Sequence, residues 1–152
     1  MKENCMQHEL TIYDKNHKPS PEKEQELVNF LFTALEEYGD PKNQIQQCFN
    51  YALERIESFG GSIISCEIKG KVVGAVALNR TGMKGYIPEN ILVYIAVDKS
   101  VRGKGLGRIL MQKATEITDG SIKLHVEKEN PAMALYKKVG YKAKYVEMRL
   151  QR

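Results

Sequence analysis

The spacing of apolar residues changes period several times along the chain, and each change marks an element. Residues 8–13 alternate, with Leu10 and Ile12 set against Glu9, Thr11 and Tyr13, which predicts a first strand. Leu27, Phe30, Leu31, Ala34, Leu35 and Tyr38 then recur at helical spacing. Ser20-Pro21 opens this helix as cap and first-turn proline, Glu22 and Glu24 suit its positive end, and Gly39 stops it. Asp40-Pro41 starts a second helix in the same way. Its stripe is Ile45, Cys48, Phe49, Ala52, Leu53 and Ile56, and Gly60-Gly61 ends it.

Residues 62–68 and 72–78 read as strands around Lys69-Gly70-Lys71, a hairpin signal. After a polar loop at 79–89 comes an unbroken, largely β-branched run at 91–97, ILVYIAV, which suits a strand buried on both faces. Gly103, Gly105 and Gly107 follow at alternate positions. Leu106, Ile109, Leu110, Ala114 and Ile117 then take up a helical period as far as Thr118. Residues 121–126 alternate as another strand, and Asn130-Pro131 opens a short helix that Gly140 ends; residues 141–150 look extended. The order β, αα, βββ, αβ, αβ is an α+β domain whose mixed sheet is antiparallel early and parallel in the middle.

Composition narrows the class. With 42% apolar and 28% charged residues, the 152-residue chain is long enough for one domain with a real core and is not disordered. No linker or low-complexity stretch divides it, so residues 1–152 read as a single domain. The apolar run at 91–97 is far too short to span a bilayer. The opening Met1-Lys2-Glu3-Asn4-Cys5 has no apolar signal core, which predicts a cytoplasmic protein. Cys5, Cys48 and Cys66 lack metal-ligand spacing, so no metal is expected, and Cys48 and Cys66 read as reduced core residues. The net charge of +4 forms no basic block and no aromatic platform, which argues against nucleic acid and suits a polyanionic small molecule.

The strongest chemical signal is the glycine turn. A helix N-terminus prefers acidic side chains, yet the charges here are Arg102, Lys104 and Arg108. Three cations beside unpaired backbone donors point to a phosphate or pyrophosphate from outside. A dinucleotide fingerprint would need glycine where Arg108 stands, and the Ser or Thr of a Walker loop is missing. Arg102-x-x-Gly105-x-Gly107 after an apolar strand resembles the acyl-CoA-binding motif A of the GNAT acetyltransferase superfamily. Asn130-Pro131-Ala132-Met133-Ala134-Leu135-Tyr136, running on to Gly140-Tyr141, resembles its motif B, one strand downstream as that family requires.

The resemblance implies a fold and a set of roles. The sheet would be mostly antiparallel, flanked by about four helices, with the parallel strands at 91–97 and 121–126 splayed into a V. The arm of acetyl-CoA, the acyl donor, would lie in that V. Backbone groups near Ile95, Ala96 and Val97 would hold it. Amides of Arg102, Gly103, Lys104, Gly105, Leu106, Gly107 and Arg108 would cradle the pyrophosphate. Asn130 would contact the arm while also capping its helix, and Tyr136 would protonate the leaving sulfur. The reaction implied is transfer of an acetyl group to a primary amine, on a small molecule or a peptide, by direct attack. The alternative is a non-catalytic CoA-binding or regulatory module, against which Tyr136 argues.

The family's usual general base would fall at Ile91, which cannot serve. Glu89 shares a strand face with it if the strand extends that far, and is the expected base, acting through water; His125 is second choice. Glu36, Glu37, Tyr38 and Asp40, between the first two helices, lie where the family often lines its acceptor side. Only twelve residues follow Gly140, too few for the family's closing hairpin. A fused or truncated strand, or completion by a second copy in a homodimer, would account for that.

Overall fold

The computed structural model describes residues 7–152; residues 1–6, Cys5 among them, lie outside these. Five strands and four α-helices follow in the order β1 Glu9–Tyr13, α1 Pro21–Leu35, α2 Lys42–Ala52, β2 Gly61–Ile68, β3 Lys71–Arg80, β4 Asn90–Val97, α3 Leu106–Glu116, β5 Ile122–Leu124 and α4 Met133–Lys138. One sheet holds all five strands in sequence order; β1 to β4 pair antiparallel, and β4 and β5 pair parallel. The mixed sheet expected from the periodicity is present, with α1 and α2 on one face and α3 and α4 on the other.

Alternation on the strands builds both layers. Ile63, Ala75, Ala77, Tyr94 and Ala96 face Leu27, Leu31, Ile45 and Phe49 of α1 and α2. Ile64, Val76, Leu78 and Leu92 face Leu106, Leu110, Met111 and Ala114 of α3. Burying each such aliphatic side chain contributes about 1.5–3 kcal/mol. Glu24, read from sequence as a dipole partner, is itself buried. Burial alone would raise its carboxyl pKa, but hydrogen bonds from Arg55 (2.5 Å) and Gln46 (2.6 Å) hold it below the usual range.

Three elements differ from the periodic reading. The stripe of α1 runs to Tyr38, but the α-helix stops at Leu35 and a 3₁₀ turn, Glu36–Tyr38, takes over. α2 stops at Ala52 rather than at the Gly60-Gly61 pair. Glu54 adopts a left-handed conformation with φ 54°, and Ile56 is 51% exposed. Asp40 does not cap α2; Pro41 takes the cap position without a side-chain hydrogen bond. Residues 141–150, expected to extend, form no strand. Among the described residues no helix is long and apolar enough to cross a membrane. Cys48 and Cys66 are buried free thiols.

Candidate active site

The site is built where β4 loses one neighbour. β5 pairs with β4 only at Asn90–Ile122, Ile91–Lys123 and Leu92–Leu124. β4 then runs on to Val97, still paired with β3 on its other side. From Val93 to Val97 the backbone groups on the β5 side therefore have no strand partner. Ile95, Ala96 and Val97 all belong to this stretch, and backbone alternation turns the groups of Ile95 and Val97, not those of Ala96, away from β3. The mouth is a V whose arms part beyond Leu92 and Leu124.

A bulge marks the point of parting. Ala77 opposes Tyr94 and Leu78 opposes Leu92, so Val93 is an extra residue on β4. Its effect is to switch faces: Leu92 packs on the α3 side, whereas both Val93 and Tyr94 turn towards α1 and α2. Tyr94 thereby reaches the loop before α2, where its hydroxyl donates to Asp40 Oδ2 at 2.6 Å. Burial and the adjacent Asp40 carboxylate push the Tyr94 pKa well up, so the proton stays on the phenol.

The glycine turn closes the open end. Gly103 and Gly105 have φ of 78° and 87°, conformations that glycine adopts without a Cβ penalty, and nothing lies within 4 Å of where either Cβ would stand. The first α3 bond runs from Ile109 N to Gly105 O, so the amides of Leu106, Gly107 and Arg108 precede it and are orphan donors. No acidic side chain occupies the first turn, and Lys104 and Arg108 are exposed beside it. An open cradle of donors without a carboxylate fits a pyrophosphate. Gly107 serves packing as well. A Cβ there would come within 3.0 Å of Leu135 Cδ2, so glycine lets α4 pack over the start of α3.

Arg102 is placed differently from the other cradle residues. Its Nε donates to Val97 O (2.8 Å), its Nη2 to Ala34 O (3.1 Å), and its amide to Lys99 O (3.4 Å). The guanidinium clamps the end of β4 to the end of α1. Lys99 adds a 2.5 Å ion pair to Glu36, which holds that carboxyl below its ordinary pKa. The Tyr38 hydroxyl donates to Glu129 O at 3.3 Å, so the segment after α1 is tied to both loops that flank the V. None of these ties is readable from spacing.

Motif B supplies the other wall. Asn130 Oδ1 accepts from Ala132 N (2.9 Å) and its carbonyl from Met133 N (3.1 Å), a capping turn that leaves the Nδ2 donors for a ligand. Tyr136 on α4 is 7% exposed and packs in the layer that holds Leu92 and Leu106. Its hydroxyl makes no hydrogen bond to any described residue. Burial pushes its pKa up to about 12, with Tyr141 adding to the effect, so it is a protonated donor throughout the physiological range.

The structure brings the glycine turn and the upper part of β4 together at the open end of the V. It does not bring Glu89 there. The Glu89 carboxyl lies against Gly120, where an added Cβ would meet it at 2.7 Å, in a cleft shared with Arg80, Lys84 and Asp119. That cleft is at the closed end of the β4–β5 pair, because Asn90 and Ile122 are its first partners. One oxygen, Oε2, is buried there without a hydrogen-bond partner among the described residues. His125 is exposed just past β5. On the α1–α2 side, Asp40 is a carboxylate held by the β4 residue Tyr94. Its Asp-Pro setting suggested a helix cap, and only the register of β4 reveals the tyrosine opposite.

A family model described as an acetyltransferase (GNAT) domain matches residues 60–143, which contain the glycine turn, both arms of the V and α4. No curated protein matches the chain. Among solved structures, a protein of Pyrococcus horikoshii OT3 is 26% identical, with a TM-score of 0.67 over 92% of this chain and 93% of that one. An aminoglycoside acetyltransferase from an uncultured soil metagenomic sample is 18% identical, with a TM-score of 0.67 over 97% and 99%. An aminoglycoside N-acetyltransferase solved in complex with CoA is 12% identical, with a TM-score of 0.66 over 96% and 95%. At such identities the last two speak for the fold alone.

Proposed function

Since the chain belongs to the GNAT acetyltransferase family, we propose that it moves an acetyl group from acetyl-CoA to a primary amine, acting as one domain over residues 1–152. The observation that carries this reading is the edge of β4 from Val93 to Val97 that β5 leaves without a strand partner, running into a helix N-terminus with orphan donors and no acid. A ligand with an amide-bearing arm and a pyrophosphate matches that pair of features. When bound, acetyl-CoA supplies the acyl group as a thioester.

The residues then divide the work. Amides from Gly103 to Arg108 hold the diphosphate, and Lys104 and Arg108 add charge. Backbone groups at Ile95 and Val97 hold the arm, and Asn130 Nδ2 donates to it. Donors on the open edge of β4 stabilise the oxygen on which charge develops. Tyr136 delivers the proton that the departing sulfur takes. A positioned acid of this kind contributes about 10²–10⁴-fold. Asp40, oriented by Tyr94, faces the acceptor side and attracts a cationic amine. Glu89 would act there only through an extended water path, so Asp40 or solvent takes the amine's proton more directly.

The test is release of free CoA from acetyl-CoA across a panel of polyamines, amino acids, aminoglycosides and peptides. Acceptor-dependent release with a cationic amine is expected. Tight acetyl-CoA binding with no release for any amine would instead identify a CoA-binding or regulatory module.

A further inference from the structure

The closed end of the β4–β5 pair holds a cleft that acetyl transfer does not use. It measures about 480 Å³, within the range of about 300–1,000 Å³ usual for small-molecule sites. Three segments meet there. Arg80 ends β3 and Lys84 follows in the next loop, Glu89 stands just before β4, and Asp119 and Gly120 form the turn from α3 to β5. The charges are sorted by wall. Arg80 and Lys84 make one side cationic. Glu89 and Asp119 make the other anionic, and α3, which ends at Glu116, adds the negative end of its dipole. None of the four side chains forms an ion pair with a described residue, so the two walls stand out of each other's reach.

Exposed cations need no ligand, but Glu89 is not a solvated carboxylate. Its Cδ and Oε1 would each lie 2.7 Å from a Cβ at Gly120, so the glycine makes a seat for the carboxyl group. Its Oε2 is buried and has no hydrogen-bond donor among the described residues. Such an oxygen costs free energy until a donor arrives. The backbone around it is fixed. Thr81 N donates to Glu89 O at 2.9 Å, and Asn90 Nδ2 donates to Asp119 O at 2.6 Å, which ties the start of β4 to the turn. The cationic wall is fixed as well. Arg80 N donates to Gly60 O at 2.8 Å and the Tyr51 hydroxyl to Arg80 O at 2.7 Å. Thr81 Oγ1 donates to Pro88 O at 2.7 Å and closes the loop that carries Lys84. Two cations beside the carboxylates disfavour a metal ion, and the described residues hold no cluster of three metal ligands. Two anchored walls of opposite sign with a space between them suit a ligand that carries both signs.

We propose that this cleft binds a free α-amino acid as its zwitterion, separately from the V. The ammonium group donates to Glu89 and faces Asp119 and the end of α3. The carboxylate lies against Arg80 and Lys84, and the side chain rests on Ile117, the apolar residue of the lining. The bound molecule spans from β3 to the α3–β5 turn. It thereby braces β5, which only three residue pairs hold to β4. It is an effector rather than a substrate, because the glycine turn lies at the opposite end of β4.

The test is calorimetry and thermal melting of the full chain with each common free α-amino acid, with and without saturating CoA. At least one amino acid should give a saturable heat, raise the melting temperature and bind as tightly with CoA as without it. Its decarboxylated amine and its N-acetyl form, each lacking one charge, should bind about ten- to a hundredfold more weakly. Glu89→Gln and Arg80→Ala should weaken the amino acid by a similar factor with circular dichroism retained, and Asp40→Asn should leave its affinity unchanged. No saturable heat from any amino acid overturns the proposal. So does a singly charged analogue that binds as tightly as the amino acid, binding that Glu89→Gln leaves intact, or binding that CoA or Asp40→Asn abolishes. The readout is binding at the closed end, so the result stands apart from the proposed reaction.

Discussion

The two ends of β4 are made from one continuous apolar run and behave oppositely. At the N-terminal end the backbone is tied down on the β5 side. Asn90 Nδ2 donates to Asp119 O at 2.6 Å, Asn90 N to Ser121 O at 3.1 Å, and Thr81 N to Glu89 O at 2.9 Å. At the C-terminal end β5 has diverged, the backbone edge has no strand partner and only Val97 O is taken, by Arg102 Nε, and the next helix begins with orphan donors. The difference is not in β4 itself. It lies in whether a neighbouring strand consumes its hydrogen bonds, so a buried strand becomes a ligand edge wherever its neighbour departs.

The sharpest way to break this contrast is Gly105→Glu. It forces a side chain into φ 87° and puts a carboxylate at the helix N-terminus where the diphosphate would lie. Acetyl-CoA binding should disappear in calorimetry while the circular dichroism persists. Undiminished affinity would mean that the open end is not the cofactor site.

Next comes Tyr136→Phe, which keeps the ring in its buried layer and removes only the hydroxyl. Turnover should fall by about 10²–10⁴, with acetyl-CoA affinity little changed, because the proton matters in the transition state and not in the bound complex. The tyrosine's pKa sits at about 12, so the parental rate should show no loss on raising the pH from 7 to 10 that the Phe variant lacks. A pH-dependent decline confined to the parent would contradict the buried, protonated tyrosine. Parental turnover in the variant, with chemistry rate-limiting, would make Tyr136 a packing residue.

Arg102→Ala tests the clamp at the open end and should have a smaller effect. It removes two hydrogen bonds from an exposed guanidinium to Val97 O and Ala34 O. About 1 kcal/mol of stability should go, since solvent already weakens exposed charged groups. Denaturant midpoints would register it, and acetyl-CoA affinity should drop far less than with Gly105→Glu. Equal losses in the two variants would show that Arg102 binds the cofactor directly.

Smallest of all should be Glu89→Gln, at the closed end. With its carboxyl against Gly120 rather than at the V, the variant should keep kcat/KM within about twofold and retain the parental pH profile. Loss of the ionisation that limits activity near neutral pH would return the base's role to Glu89 and erase the distinction between the two ends.

The elements were largely legible in the sequence because they depend on near neighbours. The apolar run at 91–97, the alternate glycines, the Ser20-Pro21 start and the hairpin at Lys69-Gly70 each specify local backbone within a few residues, and the strands and helices appear where these signals place them. The boundaries that failed did so where packing overrode period. Leu53 is fully buried, but the helix has ended at Ala52 and Leu53 is only its cap, so Ile56 never joins the stripe.

What sequence alone determined, then, is a strand, a glycine turn and a helix in a row, with cations where a helix would prefer acids. Tertiary structure decided which side chains serve that arrangement. The bulge at Val93 turns Leu92 and Tyr94 to opposite layers, Tyr94 recruits Asp40 across 54 positions of sequence, Arg102 closes on Ala34 across 68, and Glu89 turns towards Gly120. Each of these depends on the register between segments far apart in the chain. Shifting a strand by one residue reverses every side chain on it, and no local pattern encodes the choice.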